Sequence, residues 1–330
     1  MTSAPGQSRK SHHALPLVCT PLIFMLIFCA ISIILQIKSP FPGGFDELQH
    51  VSYAMHMQES GKFLPKFEEH KVLARDDLGR WTEEPNYIGH PSPFYVLLGF
   101  LLNRTLPPQQ AIIVPRLAST ALLWIAVAVV LVAGFKRFGA DRTAFAVFCF
   151  AVALCPKLVA VSSQVSNDSL AFLGGALVYF GASAGQERGW REHLSLVLGV
   201  VFAFWAKPNA ALLVCSWLTA GVFARGCPNP GLPLAACLGV AVGLAPYAAM
   251  LWHYGAIVPV AAEHLSVSKV QQFQDFQNYA LGFPLILGLS WPISETAGPA
   301  TILSFWTLIA GTAFAGFLAF GSRRDPDAAM

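Results

Sequence analysis

The residues best suited to chemistry lie in the run Lys-Ser-Pro-Phe-Pro-Gly-Gly-Phe-Asp-Glu-Leu-Gln-His-Val-Ser-Tyr, residues 38–53. Pro40, Pro42, Gly43 and Gly44 make a turn, after which a helix can begin near Asp46. Helical spacing then puts Asp46 and His50 on one face, with Tyr53 nearby. The helix dipole favours a carboxylate in that first turn. Such a group can act as a general base. Asp46 and His50 together are also candidate ligands for a divalent cation, the one cofactor this pattern admits. The alternative is that Asp46 and Glu47 are merely cap and first-turn residues of an ordinary helix. The order Asp-Glu-x-x-His is not the His-Glu-x-x-His of zinc proteases, so protease chemistry does not follow.

Further polar residues mark the ends of apolar runs. Asp168 is the acid of Ser162-Ser-Gln-Val-Ser-Asn-Asp168 and is either a functional carboxylate or a helix N-cap. Lys207, in Trp205-Ala-Lys207-Pro208, ends a short apolar stretch. An ammonium at that depth is costly and marks a functional candidate, or else a side chain that snorkels to headgroups. Lys157 offers the same two readings. Arg116 opens another apolar run, where headgroup contact competes with ligand binding. His90-Pro-Ser-Pro-Phe-Tyr95 precedes a short apolar segment, and His90 is readable as catalytic or as structural.

The elements that must position these groups are transmembrane helices. Of 330 residues, 55% are hydrophobic and 12% charged, about half the charged share of a soluble domain. A net charge of +3 gives no footprint for a nucleic-acid partner. Apolar runs long enough to approach or reach a bilayer crossing occupy about 15–37, 116–135, 143–163, 169–185, 194–206, 208–224, 231–253 and 300–320. The segment 93–103 is too short to cross and reads as an interfacial helix. With it lying flat, one side of the membrane collects Arg9/Lys10, Lys136/Arg137/Arg142, Arg188/Arg191, Arg225 and Arg323/Arg324, the signature of the cytoplasmic side. The expected architecture is an all-α, polytopic bundle of about eight spans forming one domain over 1–330. Both termini are expected in the cytoplasm of a multi-pass cell-membrane protein. A large first extracytoplasmic loop, about 38–115, should contain interfacial helices and holds half of the 18 acidic residues. Lys207 and Pro208 should turn the chain between two short helices. The seven cysteines avoid that loop and read as small apolar filler. Cations at headgroup depth suit a phosphate and an interfacial helix suits a lipid tail, which points to a lipid-phosphate substrate.

Taken in order, these motifs resemble the GT-C superfamily of membrane glycosyltransferases, which includes protein O-mannosyltransferases and the aminoarabinose transferases of lipid A. The resemblance rests on Asp46-Glu47 after the first span, Gly61 after Glu59-Ser60, the His90 to Tyr95 motif, Arg116-Leu-Ala-Ser, Asp168 at an outer turn, and Lys207 ending a short helix. It covers roughly residues 15–225. It implies transfer of a sugar from a polyprenyl-phosphate donor to an acceptor hydroxyl of a cell-wall polysaccharide, lipid or protein, with inversion. By the same resemblance Asp46 is the general base and Glu47 its supporting neighbour, the two catalytic residues. His50, His90, Tyr95, Arg116, Asp168 and Lys207 are the substrate-binding candidates, with Lys207 near the lipid phosphate. The chain departs from the family in having fewer spans and a short tail. A transporter or lipid flippase, which should carry polar groups through the midplane, and a non-catalytic scaffold of the same fold are the competing readings.

Overall fold

The computed structural model describes residues 15–43, 46–64, 69–138, 141–183, 189–225 and 231–255, the side chains of 15–18, 156 and 220–225 excepted. Its contacts define two units, 1–154 with 158–261, and 155–157 with 262–330. The following concerns the first. The apolar run expected at 300–320 lies outside the described residues.

The chain is mostly helical. Helix α1, Leu15–Lys38, ends at Ser39 and Pro40. The loop that follows is built around α2, Glu47–Ser60, which is buried on most of its circumference and closed by Gly61 in the left-handed conformation (φ 60°). Glycine takes that conformation at no steric cost. Strands β1, Lys71–Leu73, and β2, Trp81–Pro85, form an antiparallel hairpin with Leu73 opposite Trp81. The hairpin is an addition to the expected set of interfacial helices. Ser52 fastens it to α2, accepting from the Leu73 amide at 2.9 Å and donating to the Leu48 carbonyl at 2.6 Å.

The short apolar segment is helix α3, Phe94–Leu101. Its eight residues rise about 12 Å, far less than a hydrocarbon core. Phe94, Tyr95 and Leu98 are buried with Val51, Met55 and Leu73, while Leu97 (52%) and Phe100 (80%) are exposed on its other side. Gly99 lets α3 approach α2 closely, since a Cβ there would lie 2.6 Å from the Ala54 carbonyl. Helix α4, Pro108–Ala111, then leads into α5, Ile113–Phe138.

The run expected as one helix over 143–163 is broken into α6, Arg142–Ala153, and α7, Pro156–Val161. Pro156 is the cause: it has no N–H to continue the ladder and disfavours helical backbone in the residue before it. Helices α8, Asp168–Ser183, and α9, Trp190–Ala206, follow. Lys207 is extended (φ −169°, ψ 152°) and separates α9 from α10, Pro208–Arg225. The turn therefore falls where Lys207-Pro208 placed it. Helix α11, Gly231–Tyr254, completes the described chain. Among the described residues, three stretches are long and apolar enough to cross a membrane: Cys19–Lys38, Pro108–Phe138 and Gly231–Tyr254.

Helices α8 and α9 meet through glycines, as membrane helices often do. A Cβ on Gly174 would lie 2.8 Å from the Gly199 carbonyl, and one on Gly199 2.7 Å from that of Gly174. The contact acts as a ruler. At 1.5 Å per residue, Asp168 lies about 9 Å along α8 from it and Lys207 about 12 Å along α9 in the opposite chain direction. Two antiparallel helices pinned there bring Asp168 and Lys207 to the same level.

Candidate active site

The end of α1, the starts of α2, α5 and α8, and the end of α9 converge, and a buried ion pair ties most of them together. Arg116, in the first turn of α5, bonds Glu47 through two nitrogens, Nε to Oε1 at 2.7 Å and Nη2 to Oε2 at 2.6 Å. Its remaining donors reach the carbonyls of Ser39 at 2.9 Å and Pro40 at 3.0 Å. Glu47 also accepts from the amides of Gly43 at 2.5 Å and Val165 at 2.8 Å. Both side chains are almost completely removed from solvent. Four N–H groups saturate a carboxylate's acceptor capacity, which leaves Glu47 no lone pair with which to take a proton. Glu47, expected as catalytic, and Arg116, expected to bind substrate, are thus engaged with each other and with the backbone around them. Just inside the bundle, Gln36 of α1 bonds Thr120 of α5 and the Ser162 carbonyl.

Asp46 is placed differently from its neighbour. It stands at the N-cap position of α2, yet its side chain makes no capping bond. Its carboxylate instead accepts from the Tyr87 hydroxyl. His50, one turn along α2, is buried, with Nδ1 2.7 Å from the hydroxyl of fully buried Tyr95. Tyr95 packs on Tyr53, ring centroids 4.0 Å apart, and Tyr53 donates to the His90 carbonyl at 3.1 Å. The His90 ring reaches the last turn of α9, with Nε2 2.7 Å from the Ala206 carbonyl, to which Asn167 donates at 2.8 Å. One residue further along both chains, Asp168 and Lys207 form an ion pair.

These groups share one electrostatic environment. Burial lowers His50 to about 4, with Lys207 adding to the effect and Asp168 and Asp46 opposing it. Burial likewise lowers His90 to about 4, with His50 and Lys207 adding to it against the favourable bond to Ala206. Burial raises the Tyr95 hydroxyl well above the usual phenol range, reinforced by Tyr53, Asp168 and Asp46. Both imidazoles are therefore neutral at pH 7 and both phenols keep their protons.

The structure thus gathers Asp46, His50, Tyr95, His90, Asp168 and Lys207, and sets Glu47 and Arg116 beside them as a support. Asp168 starts α8, where an N-cap was one reading, and its carboxylate engages Lys207 across the helix pair. Lys207 is about one-third exposed and bound to that carboxylate, which adds a third option to headgroup or ligand contact. Among the described residues no group of three or more His, Cys, Asp or Glu side chains forms a metal set. Asp46 and His50 would bring two donors to a cation, with His50 Nδ1 already engaged by Tyr95. Tyr87 and Asn167 were missed. Tyr87 lies three residues before His90, within the same segment, and Asn167 adjoins Asp168. Comparison with family models, curated proteins and solved structures gives no match.

Proposed function

We propose that this chain is a membrane glycosyltransferase that moves a sugar from a polyprenyl-phosphate donor to an acceptor hydroxyl on the extracytoplasmic face, with inversion. The observation that carries the reading is the contrast between two adjacent carboxylates. Glu47 is saturated with donors, while Asp46, at the positive end of α2, caps nothing and accepts from one exposed phenol. In the proposed reaction Asp46 takes the proton of the acceptor hydroxyl. The acceptor oxygen bonds to the anomeric carbon, and the carbon–oxygen bond to phosphate breaks with its electron pair leaving on the phosphate. A polyprenyl phosphate leaves readily, so the poor nucleophile is the partner that needs help. Lys207 supplies positive charge to the departing phosphate, held at the right level by Asp168 until the donor arrives.

Topology enters as part of the same proposal. The three long apolar helices, the shorter α6–α7, α8, α9 and α10, and the run at 300–320 make about eight spans, with both termini cytoplasmic and the α2–β1–β2–α3 loop outside. Lys136, Arg137, Arg142 and Arg191 support this orientation, because they sit at the ends of α5, α6 and α9 remote from the site. Lys136 joins that end together, 3.6 Å from Glu192 and 4.2 Å from the Phe180 ring centre. The exposed side of α3, with Leu97 and Phe100, suits an interfacial helix.

The experiment is sugar release from a polyprenyl-phosphate donor by purified, reconstituted protein. Asp46→Asn preserves size and should lower turnover by roughly 10²–10⁴-fold, the usual contribution of a positioned base. Lys207→Ala should weaken donor binding more than Lys207→Arg does. Turnover by Asp46→Asn at the wild-type rate would sink the proposal.

A further inference from the structure

Tyr87 lies outside every motif that led to the site, yet its hydroxyl is what the Asp46 carboxylate accepts from. Among the described residues, Asp46 Oδ2 has no hydrogen bond. Tyr87 is 48% exposed, and an exposed phenol would ordinarily swing freely. Its backbone, by contrast, is fixed on both sides. Asn86, on one side, is buried; its side chain donates to the Gln49 carbonyl of α2 at 2.8 Å and its amide donates to the His70 carbonyl at 2.8 Å. Ile88, on the other side, is 6% exposed, and its amide donates back to the Asn86 side chain at 3.0 Å. The backbone that carries Tyr87 is thus fastened to the first turn of the helix that carries Asp46. The phenol therefore starts from a backbone held at a fixed place relative to Asp46, and its hydroxyl donates to that carboxylate.

We propose that Tyr87 is a positioning residue for Asp46: its hydroxyl holds Oδ1 and so orients Oδ2 to receive the proton of the attacking hydroxyl. This rests on the transferase reading of the site. The proton budget balances without Tyr87 losing its own proton. The acceptor's proton passes to Oδ2, the acceptor oxygen bonds to the anomeric carbon, and the phosphate departs with the electron pair. Tyr87 remains a donor throughout. Burial, and then the bond to Asp46 and its charge, raise the phenol above its usual range and keep it protonated. A phenol that merely occupies the acceptor's place and swings aside when the acceptor binds would instead leave Tyr87→Phe with a wild-type or higher kcat.

Two measurements test the assignment on the full chain reconstituted in lipid. In the first, Tyr87→Phe should lower kcat about 10–100-fold, the penalty for a misplaced reacting group. Its KM for the polyprenyl-phosphate donor and its melting temperature should stay at the wild-type values. A purely structural Tyr87 would move the melting temperature and leave kcat per folded molecule unchanged. In the second, 3-fluorotyrosine at position 87, followed by fluorine NMR, should titrate at lower pH in Asp46→Asn than in the parent, because the anion that holds the proton is gone. A wild-type kcat in Tyr87→Phe, or a fluorophenol indifferent to Asp46→Asn, would overturn the assignment even where Asp46→Asn is inactive. Full activity in Asp46→Asn would overturn the transferase reading itself, and this assignment with it.

Discussion

Replacing Glu47 by glutamine separates a supporting role from a chemical one. The amide has nearly the size of the carboxylate but removes the negative charge opposite Arg116 and replaces one acceptor oxygen by a donor. At least two of the four N–H groups that converge on the carboxylate, at 2.5–2.8 Å, then lose their acceptor. Arg116 keeps the Ser39 and Pro40 carbonyls but becomes a buried cation without a counter-charge. Breaking a buried pair by removing one partner costs about 3–5 kcal/mol, a large part of the ~5–15 kcal/mol that holds a typical protein folded. Unfolding of the purified protein in mixed micelles, followed by circular dichroism, should show that loss for Glu47→Gln. Glu47→Gln/Arg116→Met should recover part of it, because the stranded cation has gone. Arg116→Lys should fall between, since an ammonium cannot reproduce the fork. If Glu47→Gln unfolds like the wild type while activity disappears, the carboxylate is a chemical group and the reasoning from its saturated lone pairs is wrong.

Three further outcomes follow from the same geometry. His50 is lowered to about 4 and His70 to about 3, in both cases chiefly by burial, so the unfolded chain takes up protons first as pH falls through about 6.5. Stability should be fully present above that pH and be lost towards pH 4, by about 3 kcal/mol for His50 alone; a melting temperature that is flat from pH 7 to 5 would refute this. Gly174→Ala should push α8 away from α9, because the new methyl meets backbone at 2.8 Å; the expected cost is about 1–3 kcal/mol, and wild-type stability would show that the helices are not pinned there. A cysteine at Asp76 should react with an impermeant maleimide in intact cells and one at Asp141 should not, and the reverse pattern would invert the proposed topology.

Much of the helical architecture was legible because long apolar runs set the lengths of the helices directly. The ends of α1, α5 and α11 fall within a few residues of those runs, and Lys207-Pro208 announced its own turn. Pro156 was equally visible, but the apolar run continues through it, and run length alone does not register a missing donor. The hairpin escaped notice because strands of three and five residues carry too few alternations to register. In the site, Asp46, His50 and Lys207 were marked by being polar at helix ends. Glu47 and Arg116 were marked for the same reason, and their pairing was hidden because it joins residues 69 apart in the chain. Tyr87 carried no such mark: a tyrosine in a polar loop is ordinary until the fold turns it towards Asp46.

The saturation of Glu47 also has a consequence in time. Val165, one of its four donors, lies 118 residues further along the chain. At the ~5–20 residues per second of synthesis, the carboxylate precedes that amide by roughly 6–24 s. Through that interval it must stay in water, because burial without its full set of donors is costly. The early loop therefore waits, open, for the entry of α8 before it can close around α2. Nascent chains arrested before residue 165 should expose this loop to protease, and chains arrested well beyond it should protect it.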